Sequence, residues 1–369
     1  TSMTRPRVVL LRGHSANPWD LRPWELLADR FDVEVLATAA NAFDLSGLRL
    51  PVREIGSVRG RLPRGRAGDL AALALGDRYL GLAEALTGAD VVHAAEIGVP
   101  YSHEPARLKR RLGFRLVLTV WETIPFGDAY RRFRGRRQRR ETIPEVDLFL
   151  AATERARRAL LLEGAPDDRI EVAPPGVDAT RFTPGDPPFE HLVLSVGRLV
   201  WEKGHQDLLR ALAELRRRGV GAHALVVGTG PEDARLRAHA DDLGVGDVVE
   251  WGGGVPYHRM PEVFRRASCF VLASVPTMWW EEQFGMVLAE AAAAGLPIVA
   301  AASGAIPEVL RGAGTLFRPG DWIGLADELE PLLAQPPRRV TAPELVAAYS
   351  VEQAAARYAA AYERVLNAP

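Results

Sequence analysis

Residues 274–307 set a loop, a helix and a strand end to end, and that succession confines the chain to repeated helix–strand units. Met286, Val287, Ala289, Ala291 and Ala292 suit a helix, Gly295-Leu296-Pro297 stops it, and Pro297 to Ala301 is a short apolar run of strand type. Glu282 and Glu290 stand on either side of the helix start. At 1.5 Å per residue they lie at most about 12 Å apart along the axis. Gly285 lets the backbone approach a ligand, and the unpaired N–H groups of the first turn favour anionic oxygens. Carboxylates accept from paired hydroxyls, so the two acids suit one sugar ring and one ribose, fixing orientation without acid–base work.

The rest of the chain repeats the pattern. Strand-like runs occur at 8–11, 33–36, 90–93, 116–120 and 148–151, and a second series begins at 192–196, continuing at 224–227, 248–252 and 269–273. A chain of 369 residues exceeds one ordinary core, so two domains are expected. The loop after 192–196 reads Gly197-Arg198-Leu199-Val200-Trp201-Glu202-Lys203-Gly204. Its Gly197 keeps the turn open. Arg198 and Lys203 supply two cations just past a strand end, where arginine binds oxygens bidentately and lysine adds a compact charge. That pair suits a diphosphate.

Glu282 and Glu290 with Phe284-Gly285 between them, Ala293-Ala294-Gly295-Leu296-Pro297 after them and Gly304-Ala305-Ile306-Pro307-Glu308 beyond resemble the retaining family 4 glycosyltransferases of GT-B fold. The resemblance covers nearly the whole chain, most strongly 172–310. It implies an α/β architecture of two Rossmann-like domains with parallel sheets facing across a cleft. Residues 1–183 would form the acceptor-side domain, with a closing helix at about 350–369 packing back on it, and 184–349 the donor domain. Implied with it is a metal-independent transfer of a hexose from a UDP- or GDP-sugar to a hydroxyl. In that scheme Arg198, Lys203 and Glu282 are the catalytic set, the two cations on the diphosphate and Glu282 on the sugar hydroxyls. Glu290 holds the ribose, and the backbone of Gln283, Phe284, Gly285 and Met286 faces sugar and phosphate. Val255, after the turn Gly252-Gly253-Gly254, lines the base, and Gly13 keeps the opposite wall clear. No cofactor is implied beyond the donor. The chain has no Asp-x-Asp sequence and no His/Asp/Cys cluster at metal-ligand spacing.

The first half departs from the family. Only Gly13 remains of the paired glycines after the first strand, followed by His14, a ligand-facing donor or a polar loop residue. Trp121-Glu122 replaces the usual Thr-x-His, so acceptor chemistry does not carry over. Glu122 reads as a base on the acceptor hydroxyl, or as an acid that positions a hydroxyl or pairs with an arginine. Gln283 and Trp279-Trp280 are further departures, the tryptophans reshaping the sugar pocket or covering the core. A sugar-nucleotide epimerase or phosphorylase on the same scaffold, a non-catalytic sugar-nucleotide sensor and a lectin-like protein are the alternatives.

Net charge is −1, which argues against general nucleic-acid binding. Residues 1–180 carry 28 Lys and Arg against 24 Asp and Glu, while the remainder carries 18 against 23, so the first half carries a basic patch and the second does not. The densest run, Arg131 to Arg140, is a solvated helix face or an electrostatic contact for anionic lipid or a phosphorylated acceptor. No apolar run spans a bilayer, Thr1-Ser2-Met3 has no signal-peptide architecture, and Cys269 is the only cysteine. The expectation is a cytoplasmic protein, with peripheral attachment at the inner membrane face as an option.

Overall fold

The computed structural model describes residues 5–39, 41–63, 65–75, 77–127, 133–186 and 191–368. The chain divides into two compact units, residues 1–176 with 351–369, and residues 177–350. It leaves the first unit at Gly176, ahead of Pro184.

The first unit is built on strands β1 (Arg7–Leu11), β2 (Asp32–Thr38), β3 (Val52–Ser57), β4 (Tyr79–Leu80), β5 (Val91–Ala95), β6 (Arg115–Val120), β7 (Leu148–Ala151) and β8 (Ile170–Val172). They form one sheet in the order β4-β3-β2-β1-β5-β6-β7-β8, parallel except for the β3–β4 pair. Alternation along β1 explains why both faces are covered. Val8 and Leu10 join one core with Val35, Val91, Val117 and Leu148, while Val9 and Leu11 join another with Leu36, Val92, Leu116 and Phe149. Strands buried on both sides read as unbroken apolar runs, as parallel sheets require. Between β1 and β2 the chain makes a single helical turn, Arg22–Glu25, capped by Leu26.

The closing helix, Val351–Asn367, belongs to this unit and is locked to it by a buried polar chain. Trp24 Nε1 donates to the Tyr362 hydroxyl at 2.6 Å, which lies 2.6 Å from His93 Nδ1, and His93 Nε2 lies 2.7 Å from Thr119 Oγ1. Burial holds His93 well below its ordinary pKa, so the ring is neutral. Tyr362 then donates to Nδ1 and Nε2–H donates to Thr119, which satisfies every member. Tyr362→Phe leaves the Trp24 N–H and His93 Nδ1 unpaired, and about 2–3 kcal/mol of stability should be lost. Urea unfolding checks this; an unchanged midpoint would show that the chain of bonds holds nothing.

The second unit contains β9 (Leu192–Val196), β10 (His223–Val227), β11 (Val249–Gly253), β12 (Cys269–Leu272), β13 (Ile298–Ala301) and β14 (Thr315–Phe317). All are parallel, in the order β11-β10-β9-β12-β13-β14. From β9 the chain moves outward through β10 and β11, then returns to lay β12 on the other side of β9. The order therefore reverses between β9 and β12, and in such sheets ligands bind beyond the carboxyl ends of the strands at that reversal. The first unit reverses in the same way between β1 and β5.

Candidate functional site

In the second unit the loops leaving β9 and β12 flank the reversal, and they carry most of the residues singled out above. Lys203 closes the short helical turn Trp201–Lys203. Its Nζ lies 2.7 Å from Glu282 Oε2 and 4.9 Å from the centre of the Trp280 ring. Both charged side chains are largely buried, Lys203 16% exposed and Glu282 8%. Ser274, fully buried at the end of β12, donates its hydroxyl to the same Oε2 at 2.7 Å. One carboxylate oxygen thus takes an ammonium and a hydroxyl together. Trp279 and Trp280 are half-buried, so neither is a core residue.

Arg198 is exposed at the mouth of the β9 loop and forms no ion pair among the described residues. Its carbonyl lies 3.3 Å from His205 Nε2, and His205 Nδ1 lies 3.1 Å from Ser195 Oγ. Burial lowers the His205 pKa to about 4, so a neutral imidazole pins the loop between Arg198 and Lys203. The expectation for Gly197 needs correction. A Cβ there meets Lys203 Cγ at 3.5 Å, an ordinary contact, whereas a Cβ on Gly204 would lie 1.8 Å from the Ala273 carbonyl oxygen. Gly204 is the tight position.

Gly285, at φ +80° and ψ +64°, caps the helix Met286–Ala293 and presents its first-turn N–H groups. Glu282 lies in the loop before that helix, so only Glu290 is on the helix itself. Phe284 is buried and meets the Tyr349 ring edge-on at 5.0 Å, whereas Gln283 and Met286 are partly buried. Glu282 is also held from behind. Its carbonyl accepts the Ala305 N–H at 2.8 Å, and a Cβ on Gly304 would lie 2.1 Å from that oxygen. Glu290 is 3% exposed and accepts the Tyr257 hydroxyl at 2.7 Å. Tyr257 sits two residues after the half-buried Val255, so the loop after β11 reaches the helix that carries Glu290. The structure therefore brings Lys203 to Glu282 and the Val255 loop to Glu290, and leaves Arg198, after the same strand β9, without an ion pair among the described residues.

The remaining candidates belong to the first unit. Gly13 has φ +59°, donates its N–H to the Tyr79 hydroxyl at 2.7 Å, and would strike the Tyr101 ring at 2.7 Å if it carried a Cβ. Its bareness seats Tyr101. His14 is exposed, with its ring 5.9 Å from Tyr101 and Nδ1 3.9 Å from Asp77 Oδ2. After β6, the Trp121 N–H donates to Glu96 Oε1 at 2.8 Å, and Glu122 Oε1 accepts the N–H groups of Thr123 and Ile124 at 2.9 and 2.8 Å. In the basic run, Arg131 and Arg132 lie outside the described residues. Arg139 is buried on Glu163, Arg137 pairs with Glu141 at 2.7 Å, and Arg136 and Arg140 are exposed. Among the described residues no helix is long and apolar enough to cross a membrane.

Ser274, His205, Tyr257 and Glu96 were not anticipated. Tyr257 alone had a signal, an aromatic just past a glycine-rich turn.

Comparison with known proteins bears on the family and the fold. The model of the glycosyl transferase 4-like domain matches residues 24–176, and that of glycosyl transferases group 1 matches residues 177–344. The two models together account for residues 24–344, and the chain belongs to the family 4 glycosyltransferases, with the GT-B fold. Among curated proteins, the D-inositol 3-phosphate glycosyltransferase of Nocardia farcinica is 37% identical over 215 residues, covering 53% of this chain and 46% of that protein. The GDP-mannose-dependent alpha-(1-6)-phosphatidylinositol monomannoside mannosyltransferase of Mycolicibacterium smegmatis is 32% identical over 260 residues, covering 63% and 64%. The chain thus spans about half the length of the first and under two thirds of the second. Among solved structures, sucrose-phosphate synthase from Thermosynechococcus elongatus superposes with a TM-score of 0.75 at 19% identity, covering 99% of this chain and 100% of that one. Anabaena Alr3699/HepE in complex with UDP and glucose gives 0.73 at 18% identity, covering 97% and 99%.

Proposed function

We propose that the chain transfers a hexose from a UDP- or GDP-sugar to a hydroxyl acceptor with retention of configuration. The observation that carries this reading is the Lys203–Glu282 pair, 2.7 Å apart where the β9 and β12 loops meet at the strand reversal, with the exposed Arg198 on the same β9 loop. Arg198 and Lys203 hold the diphosphate and stabilise its charge as the sugar–oxygen bond breaks. Glu282, anchored through Oε2, orients the sugar hydroxyls. Tyr257 orients Glu290 toward the ribose, the Val255 loop lies along the base, and the backbone from Gln283 to Met286 faces sugar and phosphate. The new bond forms on the face the diphosphate leaves, and the acceptor proton passes to the departing phosphate oxygen.

The relatives support the donor class: one is named for GDP-mannose, and a solved structure of like fold holds UDP and glucose. A panel of nucleotide sugars, read by release of nucleoside diphosphate, tests the reading; no release from any member removes it. Within that assay, Tyr257→Phe should raise the donor KM by about fivefold, since Glu290 loses one hydrogen bond of about 1 kcal/mol. An unchanged donor KM would take Glu290 out of the donor site.

A further inference from the structure

The strand reversal of the first unit lies between β1 and β5, and the first residue after β5 is Glu96. Glu96 has φ +64°, a left-handed backbone unusual for anything but glycine. Its own N–H is tied to the Thr119 carbonyl at 2.8 Å, which holds this conformation in place. The side chain accepts the backbone N–H of Trp121 at 2.8 Å and that of Glu122 as well. Two carboxyl groups, Glu96 and Glu122, are therefore stitched to one loop at the carboxyl ends of β5 and β6. On that loop Thr123 is 4% exposed, and its Oγ1 is buried without a hydrogen-bond partner among the described residues. A buried hydroxyl of that kind is a group a ligand hydroxyl would satisfy.

We propose that Glu96, Glu122 and Thr123 recognise hydroxyl groups of the acceptor, and that the part of the acceptor bound there is an uncharged polyol. The proposal rests on the transferase reading above. Burial raises the Glu96 carboxyl to about 8, against backbone donation from Trp121 and Glu122 and the charge of Arg139, with the Glu122 charge adding to the rise. At neutral pH Glu96 is thus a carboxylic acid that donates one hydrogen bond, beside a carboxylate that only accepts. A polyol offers both complements. A phosphate offers no donor to Glu122 and meets its charge with like charge. Among the described residues, the cation whose charge acts on Glu96, Arg139, is buried on Glu163.

The test uses the full chain with UDP-glucose or GDP-mannose, whichever it hydrolyses, and myo-inositol, glucose and mannose against their monophosphates. Each neutral acceptor should be used at least about tenfold more efficiently than its phosphate, and Glu96→Ala should raise the neutral acceptor's KM by about tenfold, a lost buried hydrogen bond with its partner left unmet. Glu96→Gln, which also donates and accepts, should keep KM within about threefold. Wild-type kcat/KM for the acceptor should fall as pH rises through about 8. Glu96→Gln should lose that fall.

Folding gives a second readout. Glu96 is protonated in the fold and ionised in the unfolded chain between its ordinary value of 4.5 and about 8, so wild-type stability drops across that window and Glu96→Gln does not follow it. A phosphate preferred to its neutral parent, no transfer to any neutral acceptor, or an unchanged acceptor KM in Glu96→Ala overturns the proposal while donor hydrolysis persists. No donor hydrolysis at all removes the transferase reading and this proposal with it.

Discussion

Arg198→Ala should lower kcat/KM for donor turnover by about 100- to 1000-fold, the loss found when one donor to a developing anion is removed. The melting temperature should not move, because Arg198 is exposed and has no ion pair among the described residues. Lys203→Ala should match it in turnover and differ in stability. The ammonium is the counter-charge of Glu282, which is 8% exposed, so its removal strands a buried carboxylate and should cost about 3 kcal/mol. Adding Glu282→Gln to Lys203→Ala should restore most of that stability, since a neutral amide still accepts from Ser274. It should restore no turnover. Parallel calorimetry and donor-release assays separate the two effects. Wild-type rates in Arg198→Ala, or an unshifted melt in Lys203→Ala, would show that the two cations were misassigned.

The contrast between these two residues was not legible in the sequence, where both are cations past a strand end. What was legible follows from the physics of a parallel sheet. Val8-Val9-Leu10-Leu11 and Cys269-Phe270-Val271-Leu272 are buried on both faces, so they stand out as apolar runs. The strands that escaped notice are at sheet margins. β3 carries Arg53 and Glu54 exposed, β4 has two residues, and β14 is exposed at Thr315 and Leu316. Margins need no continuous apolar pattern, and they leave none.

The same logic divides the site. Glu282, Gly285 and Glu290 are spaced along one stretch, so their pattern survives without coordinates. Ser274 meets Glu282 across a loop, and Tyr257 meets Glu290 from another strand's end. Such pairings depend on which strands are neighbours, and sequence order hides that. Glu96 is hidden twice, because a left-handed turn is ordinarily marked by glycine and here by a glutamate.

Gly204 turns this dependence on strand neighbours into a measurable one. Its φ is +73°, and a Cβ would lie 1.8 Å from the Ala273 oxygen and 2.5 Å from its carbonyl carbon. The residue before it is Lys203, and the residue after Ala273 is Ser274, so Gly204→Ala pries apart the two loops that meet on Glu282. Backbone strain and steric displacement together should cost about 2–4 kcal/mol. Moving the ammonium by an ångström should lower kcat/KM by about 100-fold. Gly197→Ala is the control, with an ordinary 3.5 Å contact to the Lys203 side chain and no left-handed backbone. Its stability should stay within about 0.5 kcal/mol of wild type, with rates close to it. If both alanines behaved alike, the approach of the β9 loop to the end of β12 would not be what holds the ammonium on the carboxylate. Only a difference between the two glycines is consistent with a site whose charges are set by backbone contact between neighbouring strands.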